Sequence, residues 1–443
     1  MDRLNFIDLY AGLGGFHQAL STLGHKGVWA SESNLNLRIL YAKNFPGTPI
    51  EGDIFEVDVD KVPAHDIICG GFPCQPFSRA GLMKGFEDKT KGNHFFRILD
   101  IIDSQKKLNK PPKYIFLENV ETVLRHDNKN TFKVITTCLE DRGYEITSKI
   151  LSPHQFNIPH HRRRLFIVGV LKQKGGLNGF RFPEPLDLKD TSIESILNHS
   201  IAPKEGENLS LNKQSRIALD LWQDFVENFP EGSLMPSFPI WAHEWGATYP
   251  YEFNTPNSAT LSELNAGHGS FGIKISGQDI ESIIDNFIPR YAKKDYYEFP
   301  KWKIDSIKKN RAFYLENKEY IDDFMHRHPE IHGLDFSCQK LEWSCQGAPR
   351  TFGDKILQFR PSGLRVKLNN WTPALTTIRT QNVYIPKLGR KLSLHEIAKL
   401  QSMSLKHLPD IYDGKFVPNG GFRAFGNAVN VEVVRLIAKN LLK

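Results

Sequence analysis

Through its first 170 residues the chain keeps returning to one device: a short apolar run of strand length, several of which lead into a glycine loop, an acid or a cysteine. The runs are Leu4–Leu9, Gly27–Ser31, Asp66–Cys69, Tyr114–Leu117, Ile146–Leu151 and Leu165–Val170. Between them stand helical stretches such as Phe16–Leu23, which ends at Gly24, and Phe95–Asp103, which leads into a lysine-rich turn. Strand-length runs alternating with helices predict a wound α/β sheet with helices on both faces. In such sheets ligands bind beyond the carboxyl ends of the strands, so the residues found there are the first candidates for chemistry. A chain of 443 residues exceeds what one core usually supports. After Val170 the texture turns to Gly, Pro, Asn and aromatic residues with weak periodicity. We therefore expect a first domain over 1–175, completed by a C-terminal helix within 422–443, and a smaller irregular domain with connecting segments over 176–421.

The strand ends carry distinctive groups. Cys69-Gly70-Gly71-Phe72-Pro73-Cys74-Gln75-Pro76 presents a thiol on a turn braced by two prolines, which fits either an exposed nucleophile or a small packing residue. Phe6-Ile7-Asp8-Leu9-Tyr10-Ala11-Gly12-Leu13-Gly14-Gly15-Phe16 is a strand, a glycine loop and a helix start. His17 stands where a dinucleotide fingerprint wants a further glycine, which disfavours pyrophosphate. Glu32 follows the glycine loop by about 20 residues, where a carboxylate commonly takes ribose hydroxyls. With Asp53 it predicts an acid-lined pocket for a nucleoside lacking a diphosphate, such as S-adenosylmethionine; solvated loop acids are the alternative. Tyr114-Ile115-Phe116-Leu117-Glu118 delivers another carboxyl to a strand end, where partial burial would keep it protonated near neutral pH; a helix N-terminal acid is the other reading. Arg162-Arg163-Arg164 precedes an apolar strand, and a period of two puts Arg162 and Arg164 on one face and Arg163 on the other. The group reads as a phosphate clamp, an oriented pair beside the carboxylate, or a plain basic loop.

A formal net charge of +7 favours a polyanionic partner. Five cysteines without zinc-type spacing predict a reducing, cytoplasmic setting and no metal; Cys338 and Cys345 lack nearby histidines in a recognisable pattern. No run is long and apolar enough to suggest a membrane span. Arg290–His328 and Gln346–Asn370 are rich in basic residues, and both read as solvated faces or as loops of a binding module.

Taken in order, the glycine loop at 6–16, Pro73-Cys74-Gln75, Glu118-Asn119-Val120, Arg162-x-Arg164, Arg390-Lys391-Leu392-Ser393-Leu394-His395-Glu396 with Leu400-Gln401, and Gly426-Asn427-Ala428-Val429 resemble the motif series of DNA cytosine-5 methyltransferases, in particular those of bacterial type II restriction-modification systems. The resemblance covers 1–170 and about 372–443. It implies an S-adenosylmethionine-dependent, Rossmann-like mixed sheet plus a target-recognition domain. It also implies a mechanism: Cys74 attacks carbon 6 of a flipped cytosine, Glu118 acts at ring nitrogen 3, and Arg162 and Arg164 support the site. Phe6, Asp8, Ala11, Gly12, Gly14, Glu32, Ser33, Asp53, Ile54, Pro73, Asn427 and Val429 become the expected S-adenosylmethionine contacts, with His94 also on the cofactor side. The stretch 81–92 suits either a lid over the DNA or a surface loop. Gln75, Ser78, Arg79, Arg350, Arg360 and Arg365 are expected to touch DNA. His160 departs from the family pattern, which has Gln there. The resemblance points to a monomer acting on duplex DNA, paired in its system with a restriction endonuclease that it need not touch. Methylation of transfer RNA by a relative with the same core is the alternative, and a DNA-binding regulator without activity is a remoter one.

Overall fold

The computed structural model describes residues 3–73, 94–187, 191–199, 209–293, 299–376, 381–404, 406 and 420–443. Contacts divide the chain into two compact units, one of residues 1–198, 370–379 and 393–443, the other of 199–369 and 380–392. The division expected from sequence ran instead at 175/176 and 421/422, with only the last helix returning to the first domain.

In the first unit, among the described residues, seven strands form one sheet in the order β3-β2-β1-β4-β5-β7-β6. They are β1 Asn5–Leu9, β2 Lys26–Ser31, β3 Ile50–Glu51, β4 Ile67–Gly71, β5 Tyr114–Val120, β6 Tyr144–Leu151 and β7 Arg164–Leu171. β1 to β5 pair in parallel, whereas β7 runs antiparallel to both β5 and β6. The helices between them are α1 Gly15–Thr22, α2 Leu35–Asn44, α3 His94–Lys107 and α4 Asn130–Glu140. Side-chain alternation sorts each strand into two faces. Ile7, Leu9, Ile68, Ile115, Leu117 and Ile167 join Phe95, Ile98 and Ile102 of α3 and Ile135 and Leu139 of α4 in one core. The opposite face carries a chain of ring contacts, Phe6 to His17, Phe16 to Phe116 and Phe116 to Phe166. There α1 packs against the C-terminal helix Val431–Leu441. The sheet is thus covered by helices on both faces. Because β2 lies on one side of β1 and β4 on the other, the strand order reverses at β1, which is where a crevice opens in this architecture.

The C-terminal stretch, expected to hold one helix within 422–443, holds two: Gly420–Asn427 and Val431–Leu441. Asn430 makes the break by capping the second, its Oδ1 accepting the Val433 N–H at 3.0 Å.

Among the described residues the second unit holds a six-stranded sheet, β13-β12-β10-β11-β9-β8, from β8 Ile240–Trp241, β9 Lys340–Ser344, β10 Lys355–Arg360, β11 Gly363–Leu368, β12 Tyr384–Ile385 and β13 Arg390–Lys391. Its core gathers Trp222 and Phe225 of helix Lys213–Glu227 with Trp245, Phe324, Trp343, Leu357 and Val366. Most of the basic stretch 290–328 is helical, over Lys301–Glu316 and Lys318–Arg327. Among the described residues no helix is long and apolar enough to cross a membrane, and no group of three or more His, Cys, Asp or Glu could hold a metal ion.

Candidate active site

A cavity of about 560 Å³ opens at the carboxyl ends of β1, β2, β4 and β5. That size falls in the roughly 300–1,000 Å³ typical of small-molecule sites. The glycine loop after β1 forms one wall. Tyr10 sits at φ 57 and Gly12 at φ 53, so the backbone turns sharply as it leaves the strand. Gly14 at φ 76 precedes α1, and a Cβ there would run into the Phe45 ring. Glu32, just past β2, closes the loop: its Oε2 accepts the Gly12 N–H and its Oε1 the Asn34 N–H, both at 2.9 Å.

Of the twelve residues expected to contact a cofactor, Asp8, Ala11, Gly12, Glu32, Ser33, Pro73, Asn427 and Val429 line this cavity, as does His94. Phe6, Gly14, Asp53 and Ile54 do not. Phe6 is fully buried against His17, one pleat below the strand end; Tyr10 is the aromatic residue that the turn brings to the cavity. The Tyr10 hydroxyl donates to the His94 carbonyl at 2.8 Å, tying the loop to the start of α3. Ile54 is buried and its carbonyl accepts from Arg97. Asp53 accepts the Phe55 N–H, and its charge acts on Tyr10 and His94 from behind the wall.

At the far end of the cavity the strand alternation brings together Glu118 and the arginines. Glu118 pairs in register with Phe166, which puts it on the same face as Arg164. Arg164 Nε lies 3.1 Å from Glu118 Oε1. Burial pushes the Glu118 carboxyl up, against the pull of Arg164 and then Arg162. A Cβ on Gly71 would come within 3.1 Å of Glu118 Oε2, so the glycine leaves room for this acid. Arg162 is 2% exposed and donates from Nη2 to the Ala428 carbonyl at 3.0 Å, while its Nε and Nη1 have no acceptor among the described residues. Burial, reinforced by Arg164, brings its guanidinium down to about 9. Arg163 faces away and pairs with Glu121 at 2.7 Å, as the period of two predicts.

Residues to which the sequence reading gave no structural role hold this arrangement. Asn119 Nδ2 donates to the Phe72 carbonyl at 3.0 Å, fixing the exit of β4 against β5. Gln401 Nε2 donates to the carbonyls of Phe425 (2.7 Å) and Ala428 (3.2 Å). His160 is fully buried; Nδ1 lies 3.2 Å from the Leu400 carbonyl, and Nε2 accepts the Leu375 N–H at 3.3 Å. It thereby ties Leu375 and the end of helix Leu394–Leu400 to the segment leading into β7, and burial lowers the ring's affinity for a proton. Cys74, Gln75, Ser78, Arg79 and the stretch 81–92 lie outside the described residues.

In the second unit the arginines expected at DNA are engaged within the unit. Arg350 donates to the carbonyls of Phe229, Pro230 and Ser233. Arg360 and Arg365 both pair with Glu342, Arg365 at 2.8 Å.

The profile of C-5 cytosine-specific DNA methylases matches residues 4–231, just over half the chain and all the strands of the seven-stranded sheet. The chain belongs to that family. Its mixed seven-stranded sheet is the α/β methyltransferase fold expected from sequence. Among relatives, Type II methyltransferase M.HhaI of Haemophilus parahaemolyticus is 36% identical over 48% of this chain and 62% of its own length. Type II methyltransferase M.MspI of Moraxella sp is 42% identical over 44% of this chain and 46% of its own. Type II methyltransferase M.AluI of Cellulosimicrobium cellulans is 27% identical over 99% of this chain and 91% of its own. The chain thus spans roughly half to two thirds of the first two relatives' length, and nearly all of the third's.

Proposed function

We propose that the chain transfers a methyl group to carbon 5 of a cytosine in duplex DNA through a covalent adduct of Cys74, using S-adenosylmethionine. What carries the reading is the buried Glu118 with Arg164 at 3.1 Å and Arg162 beside it, at one end of a cavity whose other end is closed by Glu32. The cavity fits an aminonucleoside: Glu32 keeps oxygen lone pairs for ribose hydroxyls beside two backbone donors, and the glycine loop allows close approach. Asp8, Gly12, Glu32, Ser33, Asn427 and Val429 would hold it. When bound, S-adenosylmethionine supplies an electrophilic methyl group.

The chain's own groups do the rest. A free thiol is only a few per cent ionised at pH 7, so nearby positive charge favours the Cys74 thiolate that adds to carbon 6. Glu118, biased toward its protonated form, donates at ring nitrogen 3 and stabilises the added ring, which leaves carbon 5 nucleophilic. Loss of the carbon-5 proton and departure of Cys74 restore the aromatic ring. Reaching carbon 6 requires flipping the base out of the stack, at a cost of a few kcal/mol. We infer that the second domain, residues 176–421 by the sequence division, selects the DNA site. The chain would act as a monomer protecting DNA from a restriction endonuclease of the same system. The test is transfer of labelled methyl to duplex DNA and to transfer RNA in parallel: label on DNA supports the reading, and label on RNA alone overturns it.

A further inference from the structure

Asp8, unlike Glu118, has no ion-pair partner among the described residues, and unlike Glu32 it has one carboxyl oxygen left without any donor. It is 1% exposed, it lines the cavity, and its Oδ2 has no hydrogen-bond partner among the described residues. The groups packed around it come from four elements. From α1, the His17 backbone N–H donates to its carboxyl; from α2, the Tyr41 hydroxyl does the same. That hydroxyl also lies 2.7 Å from His17 Nδ1, and the His17 ring stacks on Phe45. From β4, Cys69 sits in register with Asp8 but turns its thiol to the Ile7 carbonyl at 3.1 Å. Beyond β2, Glu32 adds only a like charge.

No cation appears in this set. An ionised carboxylate sealed in such a place, facing another carboxylate, would carry a desolvation cost that two donors do not offset, so the acid remains neutral. The hydrogen bonds are consistent with a single proton arrangement: His17 Nδ1–H donates to Tyr41, Tyr41 donates to one Asp8 oxygen, and the acid proton resides on Oδ2. An unpartnered O–H in a ligand cavity is a donor awaiting an acceptor.

We propose that Asp8 serves the cavity as a neutral hydrogen-bond donor, its Oδ2–H bonding to an acceptor atom of the bound aminonucleoside. This rests on the cofactor reading above and adds the chemical form in which one of its residues acts. Asparagine has the same shape and keeps both features: its Oδ1 can accept from His17 and Tyr41 while its Nδ2 donates into the cavity.

The test is calorimetric binding of S-adenosylhomocysteine to the full chain at pH 7, with thermal unfolding as a check on folding. Asp8→Asn should bind within about threefold of the unaltered chain, whereas Asp8→Ala should bind about tenfold more weakly. With rising pH, binding by the unaltered chain should weaken as Asp8 ionises, and binding by Asp8→Asn should stay flat. If Asp8→Asn binds as poorly as Asp8→Ala while folding normally, Asp8 acts as an anion and the donor role is overturned, with the cofactor reading intact. If the unaltered chain binds no S-adenosylhomocysteine, both fall.

Discussion

Replacing Arg162 with methionine should leave the fold as stable as before, or more so, while removing activity. Bringing a guanidinium from the ordinary arginine range down to about 9 corresponds to roughly 5 kcal/mol for holding the charge inside the fold at neutral pH. Against this stands the hydrogen bond from Nη2 to the Ala428 carbonyl, which contributes about 1.5–3 kcal/mol as a charged donor. That carbonyl is not orphaned in the variant, because Gln401 Nε2 also donates to it. Glu118 loses one of two cations but keeps Arg164, and Arg164 loses a like-charged neighbour. The balance favours methionine by about 2–3 kcal/mol, the trade of stability against function common at active sites. Urea unfolding of both proteins at pH 7 measures the difference, and methyl transfer to duplex DNA measures the loss. The sign with pH follows from a depressed cation: between about pH 9 and the ordinary arginine range the unfolded chain binds more protons, so stability of the unaltered chain should rise with pH there relative to the variant. A destabilisation of about 3 kcal/mol or more, the size expected for breaking a well-compensated buried pair, would refute the reasoning.

Other substitutions test other parts of the site. Glu118→Gln preserves shape and removes the proton donor, so methyl transfer should fall by about 10² to 10⁴ while the protein stays folded by circular dichroism. Gly70→Ala would place a Cβ 2.5 Å from the Leu9 carbonyl oxygen, which is backbone and cannot swing away; we expect a loss of about 2 kcal/mol or more in urea unfolding. Among the described residues Gly71→Ala meets Glu118 Oε2 alone, at 3.1 Å, and should lower activity with a stability change under about 1 kcal/mol. His160 has its proton affinity depressed by burial, so its contribution is lost as pH falls below the usual histidine range; His160→Gln should remove up to about 2 kcal/mol of the stability lost between pH 6.5 and 5, and unchanged acid sensitivity would count against the buried neutral ring.

Much of the first unit was legible because each strand announces its own end. Leu9 to Gly12, Ala30 to Glu32 and Leu117 to Glu118 pass from an apolar run to a glycine or an acid within one to three residues, and the observed strands begin and stop close to those steps. The placing of Arg164 on the face of Glu118, with Arg163 turned away, is what period-two alternation carried across neighbouring strands gives. What sequence left hidden depends on contacts distant along the chain. Tyr10 replaces Phe6 at the cavity because a left-handed residue ends β1, and nothing in the local pattern marks Tyr10 for it. Asn119, Gln401 and His160 act by binding backbone carbonyls and amides of other segments, a role that any polar residue type permits. In the second unit, Arg350, Arg360 and Arg365 read as free cations in a basic stretch, yet their partners Phe229, Ser233 and Glu342 come from other parts of the chain.

The central claim is that Cys74 forms a bond to cytosine carbon 6, and the most direct measurement is the mass of the chain after incubation with S-adenosylmethionine and duplex DNA containing 5-fluorocytosine at the methylated position, located beforehand by bisulfite sequencing. Fluorine at carbon 5 blocks the final proton loss, so the account predicts a stable protein–DNA adduct with the unaltered chain and none with Cys74→Ala. A chain that methylates its DNA site yet forms no adduct, or forms one without Cys74, would contradict it.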